Sequence, residues 1–599
     1  MCGIVGQVGK LSDRVWQEKA LATFIHRGPD AHDNWWSDDG LAWIAQRRLA
    51  IVDLSPAGHQ PMHNEDNTVW LICNGEIYNY PTLRHRLEGL GHTFYSDSDS
   101  ESIVHAYEEW GDNCVDYLEG MFAFAIWDTK RKKLLLARDR VGIKPLAYRV
   151  TSDGLSFASD TRALLDLCES RPAVNPKAVA YVMTMGYVPS PLSMWDGIHK
   201  LDPAHILTWT PENGVKTHCY WQPPREINPQ ASLELEAWRE LFHTVLEEHL
   251  LSDVPLGMFL SGGLDSSSVA LGLQNLDQSI EAITVGYPDS PKDESPYAQA
   301  LAQHLGLSHT VSPLVVRDVP TLVAQVAQAY DEPQSYSALL SMYQVCEVGA
   351  SKYKVILAGD GGDEVFGGYN WYKRLGKPIP VKARIKKLLR GDFGNSSKDV
   401  WETFAKQSPL HRHVSRLHPR YFPHEAEQLM QSTGLTFTVD DMLAPLRRYY
   451  VDSLPLKRAL QRVDLMTFCT DSILAKVDRA SMAHSLEVRV PFLDRRVIEW
   501  GLTQPVIERE SSEQKPILRD YLQGNVPEKI MTHPKQGFSL SVLHDFDWEH
   551  AKQVVRESEW VKQGYWSDVD SFFDPTMPYD TARIWNLYVM SQWANHWLG

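Results

Sequence analysis

The sequence predicts a two-domain α/β protein, and three observations carry that prediction. At 599 residues the chain exceeds what one hydrophobic core encloses, so two or more domains are expected. Two apolar, strand-like runs end in glycine-rich loops: Val254 to Leu260 enters Ser261-Gly262-Gly263 ahead of a helix-like 269–273 pattern, and Val355 to Ala358 enters Gly359-Asp360-Gly361-Gly362-Asp363. Short strands and turns alternate through Val150, and Tyr220-Trp221-Gln222-Pro223-Pro224-Arg225 with Asn228-Pro229 punctuates the chain as a linker. Beyond it, Leu233 to Leu251 has helical spacing and leads into the first glycine loop. The expected division is therefore residues 1–220 and 231–599.

Composition narrows the function classes. With 59 basic against 76 acidic residues the net charge is −17, which disfavours a nucleic-acid backbone as partner. Hydrophobic content of 43% is globular, and no apolar run is long enough to span a bilayer. No basic segment followed by an apolar one opens the chain, so no signal peptide is expected. The seven cysteines, at 2, 73, 114, 168, 219, 346 and 469, form no Cys-x-x-Cys pair and read as reduced thiols of a cytoplasmic enzyme. A basic stretch from Lys377 to Gly394 reads as a solvated helix and loop.

The chemistry starts at Met1-Cys2-Gly3-Ile4-Val5-Gly6. If Met1 is removed, Cys2 carries a thiol and a free α-amine, and an amine of pKa about 8 can relay the proton of a thiol of pKa about 8.5. Alone, Met-Cys is better read as a small buried cysteine under an N-terminal strand. Four downstream segments supply what a glutaminase needs: His26 to Asp30, Arg48 to Asp53, Asn74 to Asn79, and Ser98 to Glu101. The Asn74 amide and the Gly75 N–H offer a donor pair for an oxyanion. Arg48 offers a guanidinium fork for an α-carboxylate, and Glu76 with Asp99 offer carboxylates for an α-ammonium. By itself Asn74-Gly75 is better read as a hairpin turn.

In this order the segments resemble the N-terminal-nucleophile glutamine amidotransferases, from Met1 to about Leu165. Phe122 to Asp128, Ala137 to Arg140, Gly142 to Leu146 and Phe157 to Asp160 continue the match. The resemblance implies a four-layer α/β/β/α glutaminase and adds Val52 to the glutamine-binding set. One departure is visible: the family usually carries His two residues before the arginine of the Arg-Leu segment, and here that position is Gln46.

The Phe259-Leu260-Ser261-Gly262-Gly263-Leu264-Asp265-Ser266-Ser267 string places a tight loop between a strand and a helix N-terminus, an arrangement that cradles phosphate. It lacks the lysine of the Gly-x-x-x-x-Gly-Lys-Ser/Thr loop, which suits a pyrophosphate that leaves whole, with Asp265 available to Mg²⁺. The string resembles the pyrophosphate loop of N-type ATP pyrophosphatases. The second acidic loop can converge on the same nucleotide if both strands lie in one open α/β sheet, and Asp363 would share the metal with Asp265. Its spacing does not match an EF-hand.

Both halves together, followed by Lys476 to Asp494, Lys515-Pro516-Ile517-Leu518-Arg519 and Pro534-Lys535-Gln536-Gly537-Phe538, resemble the glutamine-hydrolysing asparagine synthetases and their amide-forming relatives over nearly the whole chain. The resemblance implies an α/β ATP-pyrophosphatase domain with a helical C-terminal part. It implies that Phe259 and Val285 flank adenine, and that Ser261, Gly262, Gly263, Asp265, Ser266 and Gly359 meet the nucleotide. It assigns Mg²⁺ to Asp265 and Asp363, and gives Asp360 and Lys515 a part in forming or using an acyl-adenylate. The implied reaction is amidation of a carboxylate by glutamine and ATP, with aspartate the default acceptor and a homodimer admitted. After Asp331-Glu332-Pro333, asparagine makers commonly continue Phe-Ala-Asp-Ser-Ser-Ala-Ile-Pro-Thr. This chain has Gln334 to Met342 instead, so a sugar uronic acid or another natural-product acid stays open as acceptor. A non-catalytic binding homologue would be favoured by loss of Cys2, the Ser-Gly-Gly-x-Asp loop or Asp363, and all are intact.

Overall fold

The computed structural model describes residues 2–229, 234–286, 293–314, 318–373, 407–417, 420–506, 513–533, 546–573 and 580–599. Within residues 3–219 lie two six-stranded sheets. The first runs 198–200, 147–151, 154–158, 3–9, 42–48, 31–36, and the second 214–219, 205–210, 133–138, 120–128, 69–77, 62–63. Ile4, Val8 and Ile44 of one meet Ile72, Ala125 and Leu136 of the other in a dry layer between them. Arg14–Ala22 and Thr161–Asp166 cover the outer face of the first sheet; Tyr80–Gly89 and Glu101–Trp110 cover that of the second. The result is the four-layer α/β/β/α arrangement.

The period of two along each strand places the chemistry. On Val69–Ile77, Leu71 and Cys73 point to the outer helices and Ile72 points between the sheets, so Asn74 shares the inner side with Ile72. Cys2 precedes Gly3–Gly9 with the parity of Ile4 and Val8, which also point inward. Two readings of this half are corrected. The strands-and-turns reading of the first 150 residues missed three helices, Arg14–Ala22, Tyr80–Gly89 and Glu101–Trp110. The hairpin-turn reading of Asn74-Gly75 fails because both residues lie inside a nine-residue strand, opposite Ala123 and Phe122. Gly75 is needed there because a Cβ would sit 2.2 Å from the Met121 carbonyl oxygen.

The second half is built on a parallel five-stranded sheet in the order 309–313, 281–286, 256–259, 355–357, 487–489. Leu256–Phe259 and Val355–Leu357 are neighbours, so their two glycine loops leave the same edge side by side. The helix expected over 233–251 is Leu235–His249, and Leu264–Asn275 follows the first glycine loop. The linker is anchored: Tyr220 Oη donates to the Arg138 carbonyl at 2.8 Å and Trp221 Nε1 to Glu499 at 2.8 Å. The basic 377–394 stretch and the 534–538 motif lie outside the described residues. Among the described residues no helix is long and apolar enough to cross a membrane, and all seven cysteines are free thiols.

Candidate active sites

The first site lies where the two inward-facing positions meet. The Cys2 main-chain nitrogen donates to Asn74 Oδ1 at 3.0 Å. That bond fixes the amide's orientation, since only the carbonyl oxygen can accept, and it leaves Asn74 Nδ2 as a fully buried donor without a partner. A buried orphan N–H costs about 1–3 kcal/mol unless something accepts it, and the oxyanion of a tetrahedral intermediate on Cys2 would be such an acceptor. Burial pushes the Cys2 thiol above its ordinary value; the charge of the chain's N-terminus, the Leu49 N–H and the Arg48 guanidinium pull the other way. Gln46 is buried and donates to the Cys73 carbonyl at 2.6 Å, so the departure from histidine braces the strand one residue before Asn74.

Arg48 is folded into the loop after its strand. It donates to the Val52 carbonyl at 2.9 Å and the Asp53 carbonyl at 2.6 Å, which shapes the pocket wall. Asp53 there adopts φ +57° and is held by Asp253 of the second half, whose carboxylate accepts its N–H at 2.7 Å. Asp99 accepts the Ile77 N–H at 2.7 Å; burial chiefly, helped by Glu487, raises its carboxyl to about 6. Burial and the neighbouring carboxylates Glu487 and Asp99 push Glu76 well above the usual range, against the pull of Arg489 at 3.4 Å. The pocket thus crowds the carboxyl groups of Glu76, Asp99 and Glu487 around one guanidinium, acceptors whose ionised forms a bound ammonium group would favour.

The second site is formed by the paired glycine loops. Gly262 takes φ +78°, and a Cβ on it would lie 2.7 Å from Tyr297 Cβ. Ser261 N–H donates to Ser266 Oγ at 3.2 Å and Gly263 N–H to Ser261 Oγ at 3.2 Å, so the hydroxyls shape the turn. Across from it, a Cβ on Gly362 would reach within 2.4 Å of Asp265 Oδ1, and one on Gly359 within 2.9 Å of Asp265 Cβ. These glycines let the second loop wrap Asp265. Lys515, in the left-handed region at φ +53°, sets its Nζ between Asp265 and Asp363, 2.5 Å from the latter. The two carboxylates hold its ammonium protonated well above the ordinary lysine value against the cost of burial. Asp360 lies in the same loop; burial raises its carboxyl and Lys476 pulls it down. Phe259 and Val285 end adjacent strands, and the Phe259 ring lies against Gly349 of Ala338–Ala350. All the expected nucleotide residues therefore gather at one edge of the sheet.

Sequence reasoning assigned no role to the groups that join the sites. Arg27 Nε donates to the Cys2 carbonyl at 3.0 Å, and its other nitrogens grip Asp478 at 2.8 and 3.0 Å, both residues buried. Asp478 sits two residues after Lys476 on the Ala475–Met482 helix, so one helix faces Asp360 and the cysteine's brace at once. Arg479 carries the pairing on to Asp331 at 2.9 Å, which also accepts the Thr161 N–H at 3.1 Å. A small cavity lined by Ile143, Thr161, Glu332, Thr470, Ala475 and Asp478 among others lies between the halves. Arg27, Asp478 and Arg479 all stand in charged motifs visible in the sequence, but their partners are hundreds of residues away, which no spacing rule detects.

A family model described as a glutamine amidotransferase domain matches residues 1–221, and one described as asparagine synthase matches residues 237–593. The chain is 29% identical to the glutamine-hydrolysing asparagine synthetase 1 of Bacillus subtilis over 99% of its own length and 96% of that protein's. It is 30% identical to asparagine synthetase 3 of the same organism over 94% and 89% of the two chains. It is also 28% identical to amidase chry2 of Gibberella zeae over 87% and 84%.

Proposed function

The chain belongs to the family of glutamine-hydrolysing asparagine synthetases, which are ligases, and from that premise we propose that it converts aspartate to asparagine through an acyl-adenylate. The observation that carries the reading is the pairing of a cysteine beside an orphan buried amide with a glycine-and-carboxylate edge of a parallel sheet, joined by one helix. Residues 1–220 act as the glutaminase. Once Met1 is removed, the Cys2 α-amine takes the thiol proton, the thiolate attacks the glutamine amide, and Asn74 Nδ2 with the Gly75 N–H receives the oxyanion. Arg48 and the Val52 carbonyl hold the amino-acid end together with Glu76 and Asp99. Ammonia leaves, the thioester is hydrolysed to glutamate, and ammonia passes through the cavity between the halves.

Residues 231–599 act as the synthetase. ATP rests on Ser261, Gly262, Gly263, Ser266 and Gly359, with adenine between Phe259 and Val285. Asp265 and Asp363 are hard oxygen donors that fit Mg²⁺, provided the Lys515 ammonium moves off them toward the substrates. Mg²⁺ when bound neutralises the pyrophosphate leaving group. Lys515 then balances charge on the adenylate, and Asp360 stands beside Lys476 where ammonia arrives. Aspartate oxygen bonds to the α-phosphorus as pyrophosphate leaves; ammonia attacks the acyl carbon and AMP departs.

The segment that departs from the asparagine makers' pattern supports keeping aspartate. Ser335 N–H donates to the Gly186 carbonyl at 3.0 Å, Tyr336 Oη to the Met185 carbonyl at 3.0 Å, and Gln334 Nε2 to the Asp471 carbonyl at 3.1 Å. Ser335 and Tyr336 dock one half on the other, and Gln334 ties two segments of the second half together. The test is incubation with ATP, Mg²⁺, glutamine and a panel of carboxylic acids, followed by nucleotide chromatography and amino-acid analysis. AMP and asparagine are expected with aspartate. ADP as the nucleotide product overturns the mechanism, and AMP formed only with another acid, such as a uronic acid, overturns the acceptor alone.

A further inference from the structure

We propose that Glu65, His92, His105 and Glu108 form a divalent transition-metal site, best suited to zinc, on the outer face of the glutaminase half. Their ligand atoms all lie within 4.8 Å of one another. The four come from three separate segments: Glu65 from the turn before Val69–Ile77, His92 from the loop after Tyr80–Gly89, and His105 with Glu108 from one face of Glu101–Trp110. Both imidazoles turn Nδ1 to the centre. His105 Nδ1 is 3.1 Å from Glu108 Oε2 and 3.8 Å from Glu65 Oε2, and His92 Nδ1 is 3.7 Å from Glu108 Oε2.

The surroundings are those of a built site. Each imidazole places its Nε2 on an outer carboxylate, His105 on the fully buried Glu101 at 3.4 Å and His92 on Glu109 at 3.6 Å. This pairing is how proteins fix the tautomer and strengthen a metal-binding histidine. The inner carboxylates are likewise oriented: Glu108 Oε1 accepts from Asn64 Nδ2 at 2.7 Å and Glu65 Oε1 from the Thr93 N–H at 2.8 Å. Among the described residues none of these four glutamates forms an ion pair with lysine or arginine within 4.0 Å; their close cationic neighbours are the two imidazoles. Two imidazole nitrogens with two carboxylate oxygens make a four-atom N₂O₂ donor set, which suits Zn²⁺ and not Mg²⁺. The ion would staple three segments over the strand that carries Asn74.

The test uses the full-length enzyme stripped with a chelator and titrated with Zn²⁺, with Mg²⁺ in a parallel arm, reading bound metal by elemental analysis and the melting temperature by calorimetry. One Zn²⁺ per chain with a raised melting temperature, and no response to Mg²⁺, is expected. His92→Asn, at a partly buried position, and Glu65→Gln, at an exposed one, should remove that zinc while leaving ammonia-dependent synthesis unchanged. Glu109→Gln, which removes only an outer carboxylate, should weaken zinc about 10–100-fold. Absence of tight zinc binding, or zinc retained equally in His92→Asn and Glu65→Gln, overturns the proposal.

Discussion

The two active sites differ in how their charges are settled before substrate arrives. Around Cys2 the groups sit on the inner faces of two packed sheets, at 7% exposure for Cys2 and 0% for Asn74, and the unsettled features are an orphan amide donor and crowded carboxyl groups. Around Asp265 the glycine loops hold two carboxylates that share the Lys515 ammonium. The first site is a mould whose vacancies match an oxyanion and an ammonium; the second holds an internal counter-ion between its carboxylates. Under the proposed function, glutamine chemistry would rest on fixed geometry, and adenylation on exchange of partners around Lys515 as metal and nucleotide bind.

The largest effect expected from this contrast is on the second site. Asp265→Asn and Asp363→Asn should each abolish pyrophosphate release, while glutamate formation persists at its basal rate because no Cys2 contact is touched. Pyrophosphate release at the native rate in either variant would remove the exchange from the account. The next effect falls on the joint between the sites. Asp478→Ala leaves Arg27 buried and unpaired, at a cost of about 3–5 kcal/mol, and calorimetry should show a lower melting temperature. Asn74→Ala is smaller and sharper: it should slow glutamine hydrolysis about 10²–10³-fold and leave ammonia-dependent synthesis intact. The mildest is a pH effect. Asp99, held at about 6, protonates as pH falls through that value, and the substrate ammonium then loses a carboxylate. KM for glutamine should rise about tenfold per unit below pH 6, while KM for ammonia corrected for its ionised fraction stays flat.

The same contrast explains what the sequence revealed. The Ser261-Gly262-Gly263 and Gly359 to Asp363 loops were legible because strand, turn and helix follow one another locally, and the sheet needed only to bring the two strands side by side. Cys2 stood out as a candidate nucleophile, but Asn74-Gly75 alone favoured a turn; only pairing with Gly120–Asp128 makes it a strand interior. The helices of the first 150 residues escaped notice because polar residues interrupt their short apolar faces, as in Tyr80–Gly89, where only Leu83 and Leu87 are buried. Arg27, Asp478 and Arg489 could be read as charged, yet their buried pairings span the two halves, and a linear pattern holds no signal for a partner 451 residues away. The Gln334 to Met342 departure left the acceptor open in the sequence; within it, Ser335 and Tyr336 bond to Gly186 and Met185 of the other half.

The central claim is that one chain holds two separable chemistries, a thiol site and an adenylating site, connected by ammonia. Cys2→Ala tests it most directly, with asparagine and AMP measured in parallel with glutamine or with ammonium as nitrogen source. The account predicts complete loss of glutamine-dependent synthesis with ammonia-dependent synthesis largely retained. Loss of both activities in a variant that still melts cooperatively at the native temperature would contradict it.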